Sequence, residues 1–484
     1  MIFWLLLFLG LITYLILRRS VARITRTPIW LLWLVIMTPP AIWTVWALLG
    51  GDSQSIPLIL AIAPFAISSI LYWWLIQAGR KPPEPSEGNQ TETADKPQVQ
   101  LPNPQSLRPI NQQEEADLRD CFPWTVYYLQ DIEYRPQAAI CRGKLRADPE
   151  QAYHKISKNI EDRFGDRFLV IFQEGLPNQP LFVLVPNPQK QCDRSTDRQL
   201  SRPSLAIALV AITLFTTTTI GAQFAGLDPE QVQTNPSLLS QGLPYAIALM
   251  TILGVHEGGH YLMAQWHKIR TTLPYFIPVP FFLGTFGAFI QMRSPMPNRK
   301  VLFDVSIAGP LAGLVVTIPL LLWGLANSEV VPFTEDASLV NFNALIPSFS
   351  LLMTLLSKLT LGSELTARSA IDLHPVAIAG YLGLIVTAIN LMPVGQLDGG
   401  HIVHAMFGQR TSILIGQVAR LLMLVLSLLH PELLLWAILL FVMPIRDEPA
   451  LNDITELDNQ RDFWGLVALG LLAAILLPAP SSLL

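Results

Sequence analysis

Residues 243–265 read LPYAIALMTILGVHEGGHYLMAQ, an uninterrupted apolar stretch that carries the motif HEGGH at 256–260. On a helix, His256 and His260 stand at i and i+4, so both imidazoles leave one face and can bind one metal ion, with Glu257 beside them as a base. The stretch is long enough to cross a bilayer, where each ionisable side chain costs roughly 2.5 kcal/mol or more. Three such groups at this depth indicate a site of the zinc-hydrolase type.

The composition is typical of a polytopic membrane protein. Apolar residues make up 51% of the 484 positions and charged residues only 14%. The formal net charge of −4 gives no indication of a nucleic-acid partner. Cys121, Cys141 and Cys192 lie in one polar region without CxxC spacing, so we predict free cytosolic thiols and no disulfide framework.

The N-terminal region, residues 1–80, predicts three transmembrane helices, at 1–17, 29–50 and 56–78. The first has no basic segment before it and no small-residue cleavage site after it, so we predict a membrane span and not a secretory signal. The arginines that follow it place the first loop in the cytoplasm by the positive-inside tendency. They are Arg18, Arg19, Arg23 and Arg26.

A linker and a small folded region follow. Residues 81–110 are rich in Pro, Gln, Glu, Thr and Asn and poor in large apolar residues, which predicts a disordered Pro-rich linker. Residues 111–200 predict an inserted soluble α+β domain on the cytosolic side, with no motif that specifies its role. Its predicted elements are strands near 125–132 and 137–144, a helix at about Pro149 to Phe164, and a hairpin over 168–185.

A third metal ligand is expected, because zinc hydrolases typically hold the ion with three protein groups and leave one position for water. The apolar run 374–397 ends in the sequence NLMPVGQLDGGH, residues 390–401, which supplies Asp398. The predicted helix 304–327 begins on the cytoplasmic side, so a crossing by 374–397 returns Asp398 to the level of His260. A further crossing by 340–361 would reverse this, so we predict that this run is re-entrant or interfacial.

Taken together, HEGGH and NxxPxxxxDGGH resemble the site-2 protease family of intramembrane zinc metalloproteases. The stretches GTFGAFIQM at 284–292, PNRK at 297–300 and FDVSIAGPLAG at 303–313 resemble its cyanobacterial and chloroplast branch. That branch includes plant proteins named for ethylene-dependent gravitropism deficiency and yellow-green leaves. The resemblance covers residues 111–462, and the paired metal motifs are highly specific.

The resemblance implies an intramembrane endopeptidase with Zn²⁺ as its cofactor. His256, His260 and Asp398 would be the zinc ligands. Glu257 would take a proton from the attacking water and pass it to the leaving amine.

The resemblance also implies a substrate site. Asn390 would bind the substrate backbone or the developing oxyanion, and Pro393 would bend the helix so that Asp398 turns inward. The segment 271–291 contains three prolines and then Gly284 and Gly287, so it is too broken for a helix. A membrane-embedded hairpin that pairs with an unwound substrate is implied there, and a purely structural re-entrant loop is the alternative.

Two further sets of residues leave alternatives open. His401 and His404 follow Asp398 at i+3 and i+6, so they could hold a second metal, replace Asp398 as third ligand, or be solvent-facing or interfacial. Gly309 and Gly313 could form a helix dimerisation face, or they could let their helix pack closely on the metal-bearing helices within one chain.

The fold class is therefore a polytopic α-helical membrane protein with about nine transmembrane helices, re-entrant segments and an inserted α+β domain. Residues 201–410 are predicted to form the metalloprotease membrane core, which begins with a span at 203–226. Residues 411–484 are predicted to form C-terminal transmembrane helices at 411–429, 433–444 and 463–477.

Three functions are compatible with these residues. The first is a zinc-dependent endopeptidase that cuts transmembrane protein substrates within the lipid bilayer, a step in regulated intramembrane proteolysis in the related family. The second is a membrane protein that binds or transports zinc, for which a base such as Glu257 is unnecessary. The third is an inactive scaffold of the same fold. The absence of a Ser- and Arg-rich transit peptide favours a cyanobacterial plasma or thylakoid membrane protein, and a homo-oligomer stays open.

Overall fold

The computed structural model describes residues 27–48, scattered positions between 14 and 75, residue 110, and the ranges 112–135, 137–175, 179–187, 202–332, 341–366, 369–429 and 433–480. The chain forms two compact units, Met1–Gln100 and Leu101–Leu484. Most of the predicted first and third spans and of the linker lie outside the described residues, as do Cys192 and the four arginines after the first span. Their structure stays a prediction.

The first unit contains one described helix, α1 (Ile29–Leu48), where the second span was predicted. Leu32 is fully buried there, and its partners include Trp33, Tyr72 and Leu75. The predicted number of N-terminal helices is not tested by these residues.

The second unit begins with an α+β region. Its elements are α2 (Gln112–Asp120), β1 (Tyr127–Arg135), β2 (Ala138–Leu145), α3 (Pro149–Phe164), β3 (Phe168–Glu174) and β4 (Pro180–Pro186). The strands form one antiparallel sheet in the order β1-β2-β4-β3, which leaves β3 at an edge. The rings of Phe172 on β3 and Phe182 on β4 stack in the core of this region with centroids 4.2 Å apart.

The secondary structure predicted for this region is present, with both ends of β1 shifted and with one helix, α2, that was not predicted. Helix α3 has the predicted limits, because Asp148 caps it by accepting from the backbone N–H of Glu150 and of Gln151. Strand β1 starts at Tyr127 and not at Thr125, since the backbone N–H of Tyr127 still bonds to Pro123 in a turn.

The two described cysteines of this region, Cys121 and Cys141, are buried and free, as predicted. Burial raises the pKa of the Cys121 thiol to about 11 and that of the Cys141 thiol to about 12. Both side chains are therefore neutral thiols at physiological pH, where they act as small apolar residues.

Among the described residues, four helical segments are long and apolar enough to cross a membrane. They are α4 (Pro203–Phe224), α6 (Leu243–Trp266), α7 (Arg299–Ala326) and α10 (Asp398–Leu429). The second includes the 3-10 turn before α6, and the fourth comprises residues 398–428. A short helix, α5 (Pro229–Thr234), lies between α4 and α6. The protein is thus mostly helical and suited to a membrane, whereas the predicted total of about nine crossings stays a prediction. Between these helices lie β5 (Tyr275–Pro278), β6 (Thr285–Phe289), β7 (Glu329–Pro332), α8 (Leu351–Leu361), β8 (Ser369–Asp372) and α9 (Pro375–Leu391); α11 (Leu434–Val442) and α12 (Asn459–Leu476) follow.

No membrane-length helix occurs in the described residues 341–361, and the prediction that this run is re-entrant or interfacial stays a prediction. Helix α8 has 11 residues, which correspond to about 16 Å and not to the roughly 30 Å of a bilayer core. The residues before it pair instead with a strand: Leu345 and Ile371 of β8 exchange backbone hydrogen bonds of 2.9 Å.

Several predicted boundaries differ from the structure. Helix α7 begins at Arg299 and not at Asp304, because the Asn298 side chain accepts from the backbone N–H of Val301 and caps the helix earlier. Helix α10 breaks at Gly408 (φ 79°, ψ 165°), so the helix predicted from Thr411 corresponds to its second piece, and the first piece, which begins at Asp398, was not predicted.

The third correction concerns Pro393. Helix α9 ends at Leu391, so Pro393 lies in a connection between two helices and does not bend one. The residue before a proline is disfavoured in the helical region, and Met392 is indeed extended (φ −58°, ψ 130°). Asp398 consequently opens the next helix, α10, and does not end a span.

Helices α6 and α7 pack through small residues. A Cβ atom at Gly259 would lie 2.6 Å from the Ala308 carbonyl oxygen and 2.9 Å from the Ala312 methyl group. At Gly258, one position earlier, a Cβ would meet no atom within 4 Å. Gly259 thus allows α6 and α7 to lie close together, whereas Gly258 does not contribute to this contact.

This difference predicts opposite effects for two matched substitutions. Gly259→Ala should destabilise the protein by about 1–3 kcal/mol through overpacking. Gly258→Ala should be neutral or stabilising by up to about 1 kcal/mol, because alanine is the better helix former. Thermal unfolding of both purified variants in detergent measures this. A Gly259→Ala protein as stable as wild type would contradict the packing.

Candidate metal centre

His256 and His260 lie on one face of α6, directed at α7. Both are buried, with 3% and 5% of their surface exposed, and their ring centroids are 5.0 Å apart. The i, i+4 spacing on a regular helix therefore brings the two imidazoles together, as the motif predicts.

Asp398 completes the group from the start of α10. Its Oδ2 atom lies 3.2 Å from His260 Nε2 and 3.6 Å from His256 Nε2. The two glycines that follow make this approach feasible. A Cβ at Gly399 would overlap the Leu391 carbonyl oxygen, and a Cβ at Gly400 would overlap that of Gly395. The DGG sequence thus lets the helix start lie directly on the preceding connection.

The three side chains fit a zinc ion. Their ligand atoms all lie within 4.8 Å of one another, and no other group of three such side chains that could hold a metal occurs in the described part of the chain. Ligands of a tetrahedral zinc with bonds of about 2.1 Å stand roughly 3.4 Å apart, close to the 3.2 and 3.6 Å observed. Two neutral imidazoles and one carboxylate also offset most of the double positive charge.

Helix α7 orients the second histidine. The Val305 carbonyl oxygen lies 2.8 Å from His260 Nδ1, which therefore carries the proton and leaves Nε2 free toward Asp398. Gly309, one turn later, has no side chain to cover this position, and a Cβ there would overlap His260 Nε2. A Cβ at Gly313 would lie 3.2 Å from His256 Nδ1. Both glycines thus pack against the metal-bearing helix of the same chain, the second of the two alternatives considered for them.

Asn390 and Glu257 border the same group. The Nδ2 atom of Asn390 lies 3.0 Å from His256 Nε2. Glu257 is half-buried on α6, one residue after His256 and three before His260, and the backbone of Ile290 is hydrogen-bonded to its carboxylate. An amide and a carboxylate thus stand beside the position that a metal ion would take.

The segment 271–291 forms the predicted hairpin, in which β5 and β6 pair antiparallel. Gly284 (φ 81°) and Gly287 (φ 100°) adopt left-handed conformations that favour glycine. Gly284 packs on α4, because a Cβ there would lie 2.6 Å from Thr217 Cα, and Thr216 donates a 2.7 Å hydrogen bond to its carbonyl. Gly284 therefore anchors the hairpin, whereas nothing lies within 4 Å of a Cβ at Gly287.

His401 and His404 do not join the metal group. The two ring nitrogens of His404 are occupied by Asp447 and Asp453, and His401 Nδ1 lies 2.8 Å from Asp447 Oδ2. Sequence reasoning did not identify these aspartates, since nothing in their spacing from Asp398 points to the site.

Gly309 provides a test of the geometry. Gly309→Ala should displace the His260 ring and lower zinc affinity by at least about tenfold, the scale seen when a histidine ligand loses its orientation. Gly470→Ala on α12 is the matched control, because a Cβ there meets nothing within 4 Å. Zinc content and competition with a chelator measure the effect. Equal affinity in the two variants would contradict the proximity of Gly309 to His260.

The comparisons with known proteins agree with this geometry. Residues 244–429 match the model of Peptidase family M50, and residues 116–192 match that of the EGY3 middle domain. "Probable zinc metalloprotease EGY1, chloroplastic" of Arabidopsis thaliana is 30% identical over 362 residues, which cover 69% of this chain and 65% of that protein. "Probable zinc metalloprotease EGY2, chloroplastic" of Oryza sativa subsp. indica is 30% identical over 367 residues, with 74% and 65% covered.

A third relative is more distant. "Probable zinc metalloprotease EGY3, chloroplastic" of Oryza sativa subsp. indica is 28% identical over 370 residues, with 72% and 61% covered. The chain thus spans just under two thirds of the length of the curated relatives it matches. No solved structure matches the chain significantly. The chain therefore carries a domain of peptidase family M50 over residues 244–429, preceded along the sequence by an EGY3 middle domain over residues 116–192.

Proposed function

We propose that this protein is a zinc-dependent endopeptidase that hydrolyses peptide bonds within or beside the transmembrane segments of other membrane proteins. The observation that carries the proposal is the approach of Asp398 to His256 and His260, at 3.6 and 3.2 Å, between helices apolar enough to cross a membrane. The zinc metalloproteases among the relatives support the choice of metal.

His256, His260 and Asp398 would hold the zinc ion. When bound, zinc would supply Lewis acidity, which polarises a peptide carbonyl and favours deprotonation of water. The imidazole of His260 is oriented for binding by the 2.8 Å contact from Nδ1 to Val305, and Asp398 is fixed at the first turn of α10. The ligands thus come from two helices, and glycine contacts allow both to come close to their neighbours.

Glu257 would be the general base. Its carboxylate can accept a proton from the attacking water and deliver it to the nitrogen of the leaving amine. Its place on the helix of the histidines, within one turn of both, brings it to the reacting atoms without a further element. A protein that only binds or transports zinc has no need for such a base, so Glu257 separates the two functions.

Asn390 and the hairpin would bind the substrate. The Asn390 amide, 3.0 Å from His256 Nε2, can donate to a peptide carbonyl or to the oxyanion that forms from it. The hairpin β5–β6, shaped by Gly284 and Gly287, can hold an extended segment by strand addition. Pro393 would contribute only through the connection that directs Asp398 inward.

The position of the motif supports membrane-embedded substrates. His256 is the fourteenth residue of α6, about 20 Å from its start, and His260 is about 9 Å from its end. A peptide bond that reaches these side chains has to enter the apolar region. The lipid bilayer and transmembrane proteins are therefore the proposed partners, in a cyanobacterial plasma or thylakoid membrane with the 111–200 region in the cytosol.

Substitution of Glu257 tests the proposal. Glu257→Gln should retain zinc at the wild-type level and lose cleavage by at least about a hundredfold, the scale of general acid–base catalysis. The matched control is Glu230→Gln, an exposed glutamate in α5. Each protein is reconstituted in liposomes with a single-span substrate, and the same sequence is also offered as a water-soluble peptide fused to a polar carrier.

The outcomes separate the functions. Cleavage of the embedded segment by wild type and the control, but not by Glu257→Gln, is expected. Zinc bound without any cleavage by wild type would favour a metal-handling protein or an inactive scaffold. Cleavage of the soluble form alone would contradict an intramembrane substrate.

A further inference from the structure

A polar segment between α11 and α12, residues 443–458, joins three parts of the second unit. The backbone N–H of Phe172, on edge strand β3, donates to Leu451 over 2.6 Å, and that of Asp453 donates back to Phe172 over 2.8 Å. On the other side of the segment, the backbone N–H of Leu451 donates to the Met296 carbonyl over 2.8 Å, and that of Asn452 donates to the Pro297 carbonyl over 3.0 Å. The segment therefore bridges edge strand β3 of the α+β region to the residues just before α7.

The same segment holds α10 through a buried Asp–His–Asp arrangement. Asp447 Oδ2 lies 2.7 Å from His404 Nδ1, and Asp453 Oδ1 lies 2.9 Å from His404 Nε2. His404 is fully buried, and the two aspartates are 7% exposed. Both ring nitrogens can donate only from the imidazolium form, so one positive charge stands between two carboxylates. We call these three residues the clamp.

The electrostatics of Asp447 agree with this arrangement. Burial by itself would raise the pKa of its carboxyl group, but the hydrogen bond with His404 and the His401 Nδ1 atom 2.8 Å away outweigh this and lower the pKa to about 2. Asp447 is thus ionised throughout the physiological range. The clamp does not form a second metal site, because the two nitrogens of His404 leave the ring in divergent directions toward separate carboxylates.

The clamp acts on a short and separately held piece of helix. His404 follows Asp398 by six residues, about 9 Å along the axis, and the helix breaks at Gly408. Backbone carbonyls before such a break lack their helical donors, and Arg299 supplies replacements: its Nε donates to the Ala405 carbonyl over 2.8 Å and its Nη2 to that of His404 over 3.3 Å. The piece 398–407 is therefore located largely by contacts made around His404.

We propose that His404, held by Asp447 and Asp453, is the positioning residue for Asp398, and that the α+β region fixes the third metal ligand through this clamp. The proposal rests on the proposed function, in which Asp398 binds the metal. The clamp residues touch neither substrate nor metal; they determine where the Asp398 carboxylate stands.

The test uses the full-length protein in detergent, loaded with Co²⁺ as a spectroscopic substitute for zinc. The variants are Asp453→Asn, which preserves shape and the backbone bonds to β3, and Asp398→Asn as the reference for a lost ligand. Glu448→Gln is the matched control, because it removes an acidic charge next to Asp447 from an exposed side chain. Visible absorption, Co²⁺ affinity by chelator competition, and thermal unfolding are recorded for each.

The expected result is that Asp453→Asn weakens Co²⁺ binding by about tenfold or more, as outer-shell substitutions do, and shifts the absorption toward that of Asp398→Asn. Glu448→Gln should keep the wild-type spectrum and affinity. A wild-type spectrum and affinity in Asp453→Asn would overturn the proposal, even if the unfolding temperature falls. If Asp453→Asn does not fold, Asp447→Asn is measured in the same way, with the same two results deciding.

Wild-type behaviour distinguishes a failure of the site from a failure of the clamp. Co²⁺ binding by wild type that Asp398→Asn leaves unchanged would overturn the metal site of the proposed function, and the clamp proposal with it. Binding that depends on Asp398 but not on Asp453 would overturn the clamp alone.

Discussion

Three ionisable side chains, His256, His260 and Asp398, converge between helices apolar enough to cross a bilayer, and the surrounding structure has to compensate for them. A carboxylate at such a place is tolerable only when opposite charge and hydrogen bonds stand beside it. Two imidazole nitrogens at 3.2 and 3.6 Å, with room for a divalent cation between them, meet this requirement. The glycines of the neighbouring helices follow from it, because a side chain at these positions would meet a histidine ring or hold the backbones apart.

The second requirement is that Asp398, which lies on a different helix, be placed next to His256 and His260. It is placed there across a break, where α9 ends before Pro393 and α10 begins at Asp398, so no long rigid helix determines its place. Contacts further along the chain also hold α10. Arg299 joins the start of α7 to α10, and His404 joins α10 to the segment that bonds to edge strand β3. A continuous set of hydrogen bonds thus connects the helix of Asp398 with the α+β region.

Much of the site was predictable from the sequence, because its chemistry is local. The i, i+4 spacing of HEGGH determines the relation of two ligands and the base, and the DGG motif supplies the carboxylate that meets them. The side of the membrane inferred for Asp398 from the distribution of charge stays a prediction. The prolines and glycines of 271–291 excluded a helix, and the hairpin found there was implied by the family resemblance. The end of α9 at Leu391 was not predicted, because the span was assigned from its apolar composition alone. That assignment ignores the non-helical backbone that Pro393 favours at Met392. The contacts of Val305 with His260 and of Asp447 and Asp453 with His404 could not be predicted from the sequence, because they form only through tertiary packing.

X-ray absorption at the zinc edge of the purified full-length protein would show whether His256, His260 and Asp398 bind zinc. We expect one zinc with only nitrogen and oxygen donors at about 2.0–2.1 Å, two of them imidazoles, and loss of the carboxylate oxygen donor in Asp398→Asn. A sulfur donor at about 2.3 Å, or a ligand shell unchanged by Asp398→Asn, would contradict it.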